Sequence, residues 1–303
     1  MAEVILIHGI GQQRYTGAQL QARWLPALTA GLRAAGHPDL ANRVSVGHDL
    51  TTRMAFYGDL FLTPDFQGAD DNLEGLTPDQ LSLALALADE WLTRAAQRDG
   101  HPDQRTAAAE RAHGHQDQGP PQEIARALLN ALSRLSWFAE PTMAFAQTYV
   151  AKSLRQVTAY LTDPDLARQI EARVTQHLGP ETRVIIGHSL GSVVAYQVAA
   201  NHLNEPLPLM ATLGSPLGLR TVIYHRLRPQ PPTFPALIHR WVNLADRNDL
   251  VAAEPDLSNQ FTRNKPESAT LESTPVDNTA TPHDATSYLS HEEAGRPVAE
   301  ALT

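Results

Sequence analysis

The chain contains no cysteine, which excludes disulfides, thiolate-bound metals and a cysteine nucleophile. It carries no basic surplus: its 303 residues have a formal net charge of −9, whereas a general nucleic-acid binder needs a basic face. No stretch reaches the roughly 18 consecutive apolar residues expected of a membrane span. Val4-Ile5-Leu6-Ile7 is too short for the apolar region of a secretory signal and reads as a strand. The expectation is a cytoplasmic protein without a nucleic-acid partner. What remains is an ordinary globular composition, 42% hydrophobic and 19% charged, in a chain long enough to bury a large core.

The most informative stretch is Val184 to Val194, an apolar β-branched run ending in Gly187-His188-Ser189-Leu190-Gly191 and leading into an alanine-spaced apolar segment. That order predicts a strand, a very tight turn and a helix, with Ser189 at the apex. Gly187 and Gly191 lie two residues either side of the serine, where a Cβ would collide as the strand and helix backbones close together. Such a turn forces the serine into a strained conformation and lifts its hydroxyl above the sheet edge.

Along the rest of the chain, Val4 to Ile7 predicts a buried parallel strand, followed by His8-Gly9-Ile10-Gly11. On its own that turn reads equally well as a glycine-rich connection without chemistry. Ala18 to Ala35 predicts an amphipathic helix through Leu20, Trp24, Leu28 and Leu32, stopped by Gly36-His37-Pro38. Arg43 to His48 is a strand candidate, and Phe56 to Phe61 an aromatic patch for which core packing is preferred to a cleft lining. From about Thr63 to Tyr160 strand-like runs vanish. Pro78 to Arg98 predicts a helix with Leu81, Leu85, Ala88 and Leu92 on one face, widened by Leu83 and Leu87. His101 to Pro121 reads as an exposed polar loop; His113 and His115 find no partner at metal-ligand spacing. Gln122–Trp137 and Thr142–Leu161 predict two further helices. After the central turn, Pro206 to Leu213 and Ile238 to Leu244 predict strands, Glu267 to Val276 contains a last one, and the chain ends in a short helix. Ser215 reads as a turn former. Arg220, His225, Arg226 and Arg228 form a basic cluster that suits an anionic headgroup but is more simply a solvated loop face.

These motifs together resemble the α/β-hydrolases of the lipase and esterase type, over residues 1–62 and about 165–303. The resemblance lies in the His8–Gly11 turn, the Gly187–Gly191 elbow, the Asn248-Asp249-Leu250-Val251 turn and the His283-x4-Tyr288-Leu289 segment. It implies an α/β-hydrolase fold: a mostly parallel central sheet flanked by helices, one domain over 1–303, with a helical insertion at 63–160 that either partly caps the active site or packs on a face of the sheet. It implies Ser189 as nucleophile and the backbone N–H groups of Ile10 and Leu190 as oxyanion donors, and it leaves His8 a structural part. In this fold the triad runs Ser, then Asp or Glu, then His along the chain. Of the histidines after Ser189, only His283 and His291 lie beyond the Asp246–Asp249 turn. His283 is preferred because it sits in a loop after the last strand. Asp249 is preferred to Asp246 because its turn is similar to the lipase turns that carry the triad aspartate.

A serine hydroxyl needs a base, and the base an orienting carboxylate, so the implied reaction is acyl transfer without metal or organic cofactor. The expected partner is a small-molecule or lipid acyl ester, with peripheral membrane contact compatible and the oligomeric state open. An amidase or peptidase with the same triad, and a non-catalytic protein that kept the fold, stand beside it as alternatives.

Overall fold

The computed structural model describes residues 1–46, 50–62, 73–97, 103–114, 120–136, 143–252 and 254–303. They form two compact units, Met1–Gly58 with Arg168–Thr303, and Asp59–Ala167.

The first unit is built on six strands: β1 (Val4–Ile7), β2 (Thr52–Ala55), β3 (Val184–His188), β4 (Leu207–Leu213), β5 (Ile238–Asp246) and β6 (Thr270–Val276). The order is β2-β1-β3-β4-β5-β6, and every neighbouring pair is parallel. Because both faces are covered, the inner strands read as continuous apolar runs rather than alternating ones. On one face Val4, Leu6, Val184, Ile186, Leu209, Ala211, Val242 and Leu244 pack against Leu20, Trp24, Leu28 and Leu32 of helix α1 (Gly17–Ala34). The i, i+4 spacing of those four residues is the stripe the sequence predicts. Thr16 starts the helix by accepting from the Gln19 N–H while the Gln19 side chain accepts from the Thr16 N–H, a capping box.

Arg43–Val46, part of the expected strand Arg43–His48, belongs instead to helix α2 (Pro38–Val46); residues 47–49 of that candidate lie outside the described ones. The local cause is legible afterwards: Pro38 and Asp39 suit a first helical turn, and Leu40, Ala41 and Val44 are buried at helical spacing. The strand comes later, at Thr52. In the aromatic patch, Tyr57 is buried in the first unit and Phe61 in the second, core positions as preferred.

The second unit holds helices α3 (Pro78–Ala96), α4 (Asp103–Gly114), α5 (Pro121–Ser133) and α6 (Met143–Thr162). The expected insertion over 63–160 falls within its bounds. The apolar face of α3 is rotated from the one expected: Leu83, Leu87, Trp91 and Ala95 are buried with Ala84, Ala88 and Leu92, while Leu81 and Leu85 are half-buried. Asp103–Gly114 is helix, not the exposed loop expected for His101 to Pro121. The run Ala107-Ala108-Ala109 behind Asp103 supplies strong helix formers that outweigh the polar flanks. The His113 side chain and His115 lie outside what is described.

Helix α7 (Pro164–Thr175) leads to β3, and α8 (Leu190–Asn201) leaves it. Two short helices, α9 (Ala285–Ser290) and α10 (Glu292–Leu302), end the chain. Tyr196 of α8 packs on Trp241 of β5 with ring centroids 5.8 Å apart, covering the other sheet face. No helix among the described residues is long and apolar enough to cross a membrane.

Register decides where chemistry can happen. Ile7 pairs with Gly187, His188 with Leu213, Leu213 with Leu244 and Asp246 with Val276. Being parallel, the strands all end on one side of the sheet, and the segments that follow them leave from the same carboxyl edge, where open α/β sheets place their sites.

Candidate active site

Ser189 follows β3 with φ 54° and ψ −127°, a left-handed backbone that L-residues rarely hold and that costs on the order of 1–3 kcal/mol. The turn is held by close backbone packing. A Cβ on Gly187 would stand 2.4 Å from the Gly191 carbonyl oxygen, and one on Gly191 would stand 2.3 Å from that of Ile7 and 2.5 Å from that of His8. These are backbone atoms that no rotamer change can move. Gly191→Ala is expected to cost about 3 kcal/mol or more by forcing α8 off β1; urea unfolding measures it, and a loss under about 1 kcal/mol contradicts this account of the turn.

The first loop reaches the same place. A Cβ on Gly9 would lie 2.7 Å from Ser189 Cβ, so the His8–Gly11 turn passes directly beside the serine. Gln12 Nε2 donates to the Ile10 carbonyl at 3.1 Å. His8 anchors the loop from below. Its Nε2 accepts from the Tyr57 N–H at 3.1 Å, its Nδ1 lies 2.7 Å from the Gly9 oxygen, and the Tyr57 hydroxyl donates to the His8 carbonyl. That is a structural part, as expected. Leu190 opens α8, and the first N–H groups of a helix have no acceptor within it.

Asp249 and His283 are brought together. His283 Nδ1 lies 2.7 Å from Asp249 Oδ2, in the orientation of a base held by a buried carboxylate. The Tyr288 hydroxyl donates to the same oxygen at 2.8 Å, and the Val251 and Ala252 N–H groups donate to Oδ1 at 2.9 and 3.3 Å. Burial opposes a charge on Asp249, but His283 and these donors hold its pKa below the ordinary carboxylate value. Tyr288 is pushed up by burial and by the facing Asp249, so it stays a neutral donor. Room for the group comes from Gly214, at φ 54°, where a Cβ would meet Asp249 Oδ2 at 2.7 Å and His283 Nδ1 at 3.1 Å.

The two alternatives are placed elsewhere. Asp246 Oδ1 accepts from the Asn248 N–H at 2.6 Å and its Oδ2 from the Asn278 N–H, which ties the turn after β5 to the loop after β6. His291 Nε2 stands 2.9 Å from Asn278 Oδ1. Ser215 caps a short 3₁₀ turn by accepting from the Leu217 N–H at 3.2 Å, the turn role expected of it. In the basic cluster, Arg228 pairs with buried Glu171 at 3.0 Å. Tyr288 and His188, the second of them inside the elbow motif, carry no sequence signal for a task; neither residue type has one until its contacts are known.

A family model described as alpha/beta hydrolase fold matches residues 110–294, a stretch that contains Ser189, Asp249 and His283 but not the His8–Gly11 turn. Searches among curated proteins and among solved structures gave no match.

Proposed function

The chain belongs to the α/β-hydrolase fold family, and on that premise we propose that it is a serine hydrolase cleaving carboxylic esters of lipid or other apolar acyl groups. The observation that carries the proposal is the 2.7 Å contact between His283 Nδ1 and buried Asp249, on the same sheet edge as a serine held at positive φ.

In this reading His283 Nε2 takes the Ser189 hydroxyl proton as the oxygen attacks the ester carbonyl. Asp249 fixes the tautomer and stabilises the imidazolium. The Ile10 and Leu190 N–H groups receive the oxyanion, a donor worth about 10²–10³ in rate in comparable sites. The tetrahedral adduct collapses, His283 gives its proton to the leaving alkoxide, and the acyl group stays on Ser189. Water, deprotonated by His283, then attacks the acyl-enzyme and releases the acid with Ser189 restored.

The test is a series of p-nitrophenyl esters from acetate to palmitate, with the matching p-nitroanilides beside them. Ester turnover well above that of a Ser189→Ala control supports the reading, and faster anilide turnover favours an amidase. Equal background rates for wild type and control remove the proposal.

A further inference from the structure

His188 is the last residue of β3, one position before Ser189, and the acyl-transfer steps make no use of its imidazole. That side chain is buried. Its Nε2 lies 2.9 Å from the His283 carbonyl oxygen, and the two rings sit 4.6 Å apart at 41°. A carbonyl can only accept, so His188 Nε2 carries the proton and donates. In the sheet β3 and β6 are separated by β4 and β5, so this bond ties the strand that ends in the nucleophile straight to the loop that carries the base.

We propose that His188 is a positioning residue that sets His283 against Ser189, an inference resting on the acyl-transfer reading. The loop has further ties: Asn278 Nδ2 donates to the Pro282 carbonyl at 2.9 Å, and Asp284 caps α9 while pairing with Arg23 at 2.8 Å. The His188 bond adds a direct hold on the elbow. Around the ring stand His283, Asp249 and Asp284 as charged or chargeable neighbours, with Tyr288 and the uncharged Trp24 at 6.2 and 6.1 Å. Burial, then the charge of His283, depress its pKa to about 3 against the pull of the two carboxylates. The ring therefore stays neutral while His283 cycles through its protonated form; a second cation beside it would oppose that step.

The test compares wild type, His188→Gln, His188→Phe and His188→Leu with the best ester. Glutamine places an N–H near the Nε2 position, so it is expected to keep kcat within about fivefold. Phenylalanine, which fills the volume, and leucine lack the donor. Both are expected to lose about 100-fold in kcat and in fluorophosphonate inactivation rate, the scale of a small misplacement of a base, with KM within about twofold. Wild-type kcat in either apolar variant overturns the proposal. So does an equal loss in all three variants, which reduces the residue to packing. A wild type inert to esters and probe overturns the acyl-transfer reading instead. Ring ¹⁵N spectra of wild type then judge the tie alone: an Nε2–H tautomer unchanged over about pH 5 to 8 supports it, and titration in that window, where a free histidine changes charge, overturns it.

Discussion

Ser189→Ala is expected to lower kcat by about 10⁶-fold with little change in stability, the scale on which loss of a triad serine acts. The size of the effect follows from the surroundings. Two other hydroxyls lie close by, but Ser192 Oγ stands 2.6 Å from the Ser189 carbonyl and 2.7 Å from Ser215 Oγ, and Ser215 is held by the Leu217 N–H. Neither is placed to substitute as nucleophile. The variant should fold, because alanine keeps the Cβ that the positive φ already accommodates and loses one oxygen. Initial rates on the best ester, with circular dichroism as the folding control, measure it; residual activity within about tenfold of wild type would move the chemistry away from this serine.

The second large effect separates two neighbouring aspartates. Asp249→Asn is expected to cost about 10⁴ in kcat, as in other triads whose carboxylate becomes an amide. Each Asp249 oxygen faces two donors: His283 Nδ1 and the Tyr288 hydroxyl on one side, the Val251 and Ala252 N–H groups on the other. An asparagine must turn its NH₂ toward one of those pairs. It then either flips the His283 tautomer or opposes two backbone N–H groups. Asp246→Asn alters a tether between two loops, so kcat should stay within about tenfold while stability falls by about 1–3 kcal/mol. Rates and urea unfolding of both variants decide it, and a larger rate loss in Asp246→Asn than in Asp249→Asn contradicts the assignment.

How much of this was legible in the sequence depended on how local the physics was. The elbow could be read from five residues because two glycines and a serine suffice to describe a backbone collision. Asp249 and His283 came from the resemblance, whose triad runs Ser, Asp, His along the chain, and their side chains stand 2.7 Å apart. Residues 43–46 could not be read, since Arg43-Val44-Ser45-Val46 alternates like a strand and only the preceding Pro38-Asp39-Leu40-Ala41 turns it helical. The buried face of α3 was ambiguous because leucines at 81, 83, 85 and 87 populate two faces at once. His188 and Tyr288 escaped for a different reason. Each works through a contact with a residue far along the chain, 95 positions for His188 and 39 for Tyr288, and no spacing in a sequence encodes that.

The proposed chemistry rests on one serine, Ser189, activated by His283 and Asp249. Mass-spectrometric mapping of a fluorophosphonate adduct tests it most directly. A single adduct is expected on the peptide containing Ser189, formed quickly in wild type and at a small fraction of that rate in His283→Ala and Asp249→Asn. No adduct on wild type, or an adduct on another serine such as Ser215, would contradict it.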